Sequence, residues 1–133
     1  MTFTQMVDAW TALATGGLME GLQGLGEATA DRMRSTAQQN ALSRMTPQTF
    51  RLYESIDSGA TPLPAGVEIV LQAGGDLDSQ HAVFQEYGWD YANGDGEITT
   101  RPGTFYLRDA FTDGLRPVEG ELQAFLMTAL GVR

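Results

Sequence analysis

The apolar residues of this chain change period twice, and that change restricts the fold more than any other feature. From Leu18 to about Leu42 they recur in steps of three and four, through Leu18, Leu22, Leu25, Met33, Ala37 and Ala41. Such spacing lays one stripe along a helix. Residues 66–72 alternate instead, with Val67, Ile69 and Leu71 on one side and Glu68 and Gln72 on the other, which is the period of a half-buried strand. From Leu107 to Leu130 the helical period returns through Phe111, Leu115, Val118, Leu122, Phe125, Leu126 and Ala129. Helix, then strands, then helix predicts an α+β fold: a small antiparallel sheet packed with a long N-terminal helix and a C-terminal helix.

At 133 residues the chain predicts a single domain, residues 1–133. Residues 1–17 read as a short helix and linker, with Met6, Val7, Trp10, Leu13 and Ala14 on one side before Gly16-Gly17 breaks the pattern. Residues 18–46 form the long helix. Its first turns are weakened by Gly21, Gly24 and Gly26, at about 1 kcal/mol each relative to alanine. Residues 49–104 form the sheet region with loops, and residues 105–130 the C-terminal helix, where Pro117 predicts a kink or two abutting helices. Within the sheet region, Phe50, Leu52 and Ile56 predict a strand over 49–57. Ser58 to Ala65, with Pro62 and Pro64, predicts a long mobile loop between the first two strands. Asn93-Gly94-Asp95-Gly96 predicts a tight turn.

Charge narrows the function classes. Seventeen acidic residues stand against eight basic ones, all arginine, for a net charge of −9. Gripping phosphates needs clustered cations, and no cluster is present, so sequence-specific nucleic-acid binding is not expected. The acidity serves plain solubility, or a wall that DNA slides past without sticking. No cysteine is present, which excludes disulfides and thiolate metal sites. No apolar run reaches the ~20 residues that span a bilayer, and Met1-Thr2-Phe3-Thr4-Gln5 lacks the basic region of a signal peptide.

Candidate chemistry is sparse. His81 is the one histidine; it is a structural or surface residue, or a general base oriented by Glu86 or Asp78. No nucleophile motif or phosphate-binding glycine loop accompanies it. Asp90 to Ile98 looks like a calcium loop, but setting Gly96 at the glycine position puts Tyr91 and Pro102 at the terminal ligand positions, so it reads as a turn. No cofactor or metal is expected. Phe84, Tyr87, Trp89 and Tyr91 place four aromatics in eight residues, as core packing or as a subunit interface. Pro62, Leu63 and Pro64 are further interface candidates.

Three segments, in this order and spacing, carry a resemblance. Thr49, Leu52, Ser55 and Ile56 fit a Thr-Gly-x-Leu-x-x-Ser-Ile element, with Phe50 in place of the glycine. Ala82, Glu86, Tyr87 and Gly88 fit Tyr-Ala-x-x-x-Glu-aromatic-Gly, with His81 at the first position. Arg101, Pro102, Phe105, Leu107 and Ala110 fit a proline-containing segment ending in Phe-Leu-x-x-Ala, with Tyr106 inserted. Over about residues 18–130 the chain resembles the tail-completion and neck-protein family of long-tailed phages and phage-derived particles.

That resemblance implies no enzyme activity. It implies a virion structural protein that completes the tail and joins it to the DNA-filled head, assembled in the host bacterial cytoplasm. The partners it implies are further copies of the chain in a ring, typically a hexamer, and neighbouring neck, connector or tail-tube rings. DNA passes through without sequence-specific binding, and no membrane is involved. Competing readings are a tail terminator ring capping the tail tube, a small bacterial adaptor or regulatory protein binding through its aromatic cluster, and an enzyme built on His81.

Overall fold

A computed structural model describes residues 2–12, 17–44, 51–64, 66–74, 82–92 and 94–131. Its elements are α1 (Phe3–Ala12), α2 (Leu18–Arg44), α3 (Arg51–Ser55), β1 (Asp57–Leu63), β2 (Gly66–Gln72), a short helix α4 over residues 82–87, β3 (Gly88–Ala92), β4 (Ile98–Pro102), α5 (Tyr106–Leu115) and α6 (Val118–Ala129). The class is α+β, with two two-stranded antiparallel sheets, β1–β2 and β3–β4.

α2 is the spine, about 40 Å long at 1.5 Å per residue over its 27 residues. Its buried side, Gly26, Thr29, Ala30, Met33, Ala37 and Ala41, is built from small residues plus one methionine, so other elements approach closely. A Cβ on Gly26 would press on Val67 of the β1–β2 hairpin, and one on Gly21 would overlap the Phe125 ring of α6. Two of the glycines that weaken the helix locally are thus seats for its partners. Thr29 is fully buried and returns its hydroxyl to the Leu25 carbonyl at 2.8 Å.

The first hairpin corrects two expectations. Residues 58–63 are not a mobile loop. They belong to β1, which pairs with β2 from Asp57↔Gln72 to Leu63↔Gly66. Pro62 sits opposite Val67; a two-stranded ladder leaves alternate N–H groups facing outward, so a residue with no N–H can be fitted. β1 is also tied to α2, the Ser58 hydroxyl donating to the Ala30 carbonyl at 2.7 Å and the Gln23 amide to the Ala60 carbonyl at 2.8 Å. Nor is residues 49–57 one strand: Arg51–Ser55 is a helical turn, and the strand begins at Asp57. Leu52 and Ile56 are four apart, a spacing that one helix face and one strand face share. Thr49 and Phe50 lie outside the described residues.

β2 turns Val67, Ile69 and Leu71 inward and Glu68, Val70 and Gln72 outward. Pro117 stands at the N-cap of α6, separating it from α5 as two abutting helices. The Arg32 guanidinium binds the junction, donating to the Gly114 carbonyl at 2.7 Å and pairing with Glu121 at 2.9 Å. The core lies where α2, α3, α4 and α5 meet: Ala37, Ala41, Leu52, Ile56, Ala82, Tyr106 and Ala110, with Leu71, Ala73 and Leu107 packed against it.

Candidate functional site

α5 begins without a local cap. The first N–H groups of any helix lack intrahelical partners, and the residue before Tyr106 is Phe105, whose side chain has no acceptor. Glu86 supplies what is missing. Its Oε2 accepts the Leu107 N–H and its Oε1 the Arg108 N–H, both at 2.9 Å. Glu86 is 5% exposed as a residue, and a negative charge at a helix N-terminus is favoured by the helix dipole.

The exchange is reciprocal. The Thr104 N–H and hydroxyl both donate to the Gln85 carbonyl at 2.8 Å, and the Phe105 N–H to the Glu86 carbonyl at 3.2 Å. The last carbonyls of α4 are thereby satisfied by the segment leading into α5. Two glycines let these backbones touch. Gly88 stands at φ +85°, and a Cβ there would overlap the Arg101 carbonyl; a Cβ on Gly103 would overlap the Glu86 carbonyl. Phe105 itself is left-handed, φ 51°, costly for an aromatic residue. Its ring is held under the Arg108 guanidinium, 3.8 Å from the centroid, and edge-on to Tyr87 at 6.4 Å.

α2 grips the same junction from its other side. Arg44 donates to the Thr104 carbonyl at 2.9 Å and to Asp109 at 2.6 Å, and the Asn40 amide to the Tyr106 carbonyl at 3.2 Å. The hydrogen bond from Arg44, helped by Arg108, holds the Asp109 carboxyl below the usual aspartate range. Tyr106 is fully buried. Burial first, and the Glu86 charge second, push its hydroxyl well above the usual tyrosine range, so it stays protonated and faces the Ala82 carbonyl at 3.5 Å.

The residues of the three sequence segments mostly converge here. Leu52, Ile56, Ala82 and Ala110 are buried in the core, and Leu107 packs against it. Ser55 donates to the Leu52 carbonyl at 2.6 Å and accepts the Gly74 N–H at 2.9 Å. Arg101 and Pro102 are exposed in β4, paired with Trp89 and Gly88. Thr49 and His81 lie outside the described residues. Sequence reasoning missed Asn40, Arg44 and Gly103, which carry no local signal. It treated Tyr106 as an insertion, whereas Tyr106 fills the centre of the core.

Core packing does not account for the aromatic segment. Phe84 is 44% and Tyr87 69% exposed; Trp89 is half-buried, its ring 6.0 Å from that of Phe84. The Tyr91 side chain lies outside what is described. Pro62, Leu63 and Pro64 are exposed at the end of the first hairpin. Beside the Glu86 junction an apolar groove of about 410 Å³ runs between α4, α5 and the end of β2, lined by Leu71, Val83, Tyr87, Leu107 and Phe111, with Arg108. A wider polar hollow of about 980 Å³ is lined by Arg34, Gln38, Glu54 and Asp57 among others.

Among the described residues no group of three or more His, Cys, Asp or Glu side chains is placed to hold a metal ion, and no helix is long and apolar enough to cross a membrane. What the junction does chemically is hold one helix start rigidly and leave an apolar groove open beside it. No protein-family model, curated protein or solved structure matches the chain.

Proposed function

We propose that this chain is a structural protein of the head–tail neck of a long-tailed phage or phage-derived particle. It completes the tail and joins it to the DNA-filled head as one subunit of a ring in a coaxial stack. The observation that carries this reading is the convergence of the three family-like segments on one junction. Eight of their residues, separated by up to 58 positions from Leu52 to Ala110, pack or hydrogen-bond around the start of α5. Apolar residues of any small domain share its core, so the weight falls on Glu86, whose carboxylate joins the second segment to the third through two backbone hydrogen bonds. The open groove and the exposed Phe84 and Tyr87 suit a part that is finished by its neighbours. An acidic ring also repels the DNA that must slide through it.

Removing the gene from the particle that encodes it tests the reading. The expected phenotype is DNA-filled heads and finished tails that fail to join, seen by electron microscopy and restored by the gene supplied in trans. Overlong tails would assign the chain to the tail-terminator station instead. Normal, joined particles would refute any neck role.

A further inference from the structure

We propose that the free edge of β2 docks an extended, basic segment of another protein, which joins the first hairpin as a third strand. Such docking does not depend on the chain's being a neck protein. The ladder fixes which backbone groups face that edge. Pro62 has no N–H, so its pair with Val67 is not one in which opposed residues exchange both hydrogen bonds. The exchanging pairs are therefore Asp57↔Gln72, Gly59↔Val70, Thr61↔Glu68 and Leu63↔Gly66. Between them, Ser58, Ala60 and Pro62 of β1 and Val67, Ile69 and Leu71 of β2 turn their backbone groups outward. Two side-chain contacts agree. The Asp57 carboxylate accepts the Ser58 N–H at 2.9 Å, and the Gln23 amide donates to the Ala60 carbonyl at 2.8 Å.

The two edges of this hairpin are treated oppositely. The β1 edge is closed, capped by Asp57 and Gln23 and interrupted by Pro62, as edge strands are that must not pair further. The β2 edge has no such device. Its seven residues, Gly66–Gln72, include no proline and one charge, Glu68. β2 stands at the outside of its two-stranded sheet. Among the described residues nothing bonds the outward N–H and C=O groups of Val67, Ile69 and Leu71.

The chemistry of the edge selects its occupant. A row of N–H and C=O groups repeating every ~7 Å is matched by another extended backbone, the basis of strand addition. Side chains then set the partner's sequence. Leu71 also lines the apolar groove, so the added strand is apolar on that face. On the opposite face Glu68 and Val70 are exposed, and a basic residue beside Glu68 is favoured. The net charge of −9 likewise favours a basic partner and opposes a second copy.

The probe is the end-capped peptide Lys-Val-Thr-Val-Lys-Val-Thr, equal to β2 in length, added to the isotope-labelled full chain and followed by amide NMR. The expected result is saturable shifts at Val67, Ile69 and Leu71, with exchange of their N–H groups slowed at least about tenfold and that of Ala60 unchanged. N-methylating one alternate set of peptide amides, the valines for an antiparallel strand or the others for a parallel one, should weaken binding at least about tenfold, and methylating the other set should leave it within about threefold. Glutamate in place of both lysines should weaken it at least about tenfold as well. Ile69→Pro removes an outward donor without touching the ladder, and Ile69→Ala removes the side chain alone. Both should melt cooperatively in urea, and only the proline form should lose the peptide. If the proline form does not fold, the two methylated peptides decide. Absence of binding, equal effects of the two methylation sets, or shifts at Ala60 in place of β2 overturn the docking edge. Equal binding of the acidic peptide overturns the basic partner. A dimer of the peptide-free chain that Ile69→Pro abolishes and Ile69→Ala keeps overturns the foreign strand in favour of a second copy.

Discussion

Replacing Glu86 tests the junction directly. In Glu86→Ala the Leu107 and Arg108 N–H groups, each held at 2.9 Å, lose their acceptor at a position only 5% exposed. An unpaired buried donor costs about 1–3 kcal/mol, so two would cost roughly 2–6 kcal/mol. Water entering from the adjacent groove offsets part of this, and we expect about 2–4 kcal/mol. Against a typical stability of roughly 5–15 kcal/mol that is a large fraction. Glu86→Gln keeps the shape and one acceptor but turns an amide N–H₂ toward a backbone donor, for an expected loss of about 1–2 kcal/mol.

Urea unfolding followed by circular dichroism measures both, with the midpoint shift read at constant slope. Melting temperatures should follow in the same order, at roughly 4 °C per kcal/mol for a domain this size. The order is parent, then Gln, then Ala. A Glu86→Ala protein within about 0.5 kcal/mol of the parent, the range of ordinary surface changes, would refute the cap. So would equal losses in Gln and Ala, since the amide retains an acceptor the methyl lacks.

Gly88→Ala should cost about 2–4 kcal/mol, from the left-handed backbone and overlap with the immovable Arg101 carbonyl, whereas Gly94→Ala, with open space around it, should stay within about 0.5 kcal/mol; paired urea melts check both. Asp109 is held below its ordinary value of 3.8 by Arg44, so its contribution to stability is present above that value and lost as pH falls through the lower folded value. Stability measured from pH 5 to pH 2 (about the range of carboxylate titration) should therefore fall less steeply in Asp109→Asn than in the parent. Deleting residues 58–63 should abolish cooperative unfolding, because β1 pairs along its whole length and is tied to α2; a deletion variant that melts cooperatively near the parent's midpoint would show the strand to be dispensable. In a complementation assay His81→Ala should support particle assembly within a few-fold of the parent while Glu86→Ala falls well below it, and the reverse order would revive an enzymatic reading.

The elements legible in the sequence are those whose burial is written in large apolar residues. Val67, Ile69 and Leu71 alternate because one face of β2 is covered, and Pro117 marks a helix start because it cannot sit inside one. β1 was illegible because its inward residues are Ser58 and Ala60, small so that α2 can come close. Their partners are polar groups of α2 that no periodicity reveals. The turn at Arg51–Ser55 was misread because Leu52 and Ile56 satisfy both periods. The Glu86 cap was hidden for a different reason: capping signals are read within three or four residues, and here the acceptor lies 21 and 22 positions before its donors.

α4 carries family-like residues on both of its faces, Ala82 and Glu86 on one and Tyr87 on the other. Ala82 and Glu86, four apart, are buried against the core and the start of α5; Val83 and Tyr87, also four apart, are exposed and line the groove. One short helix therefore does two jobs on two faces, and its own length is too small to be stable alone. Its position is fixed by the inner pair, chiefly through the two hydrogen bonds of Glu86. Of the outer pair, Tyr87 also packs edge-on against Phe105 at 6.4 Å, so Val83 is the freer of the two to vary. The inner pair cannot change without moving α4 against α5, and moving α4 reshapes the groove. Glu86 thus shapes the groove from inside the subunit: its two hydrogen bonds set the spacing of the α4 and α5 walls.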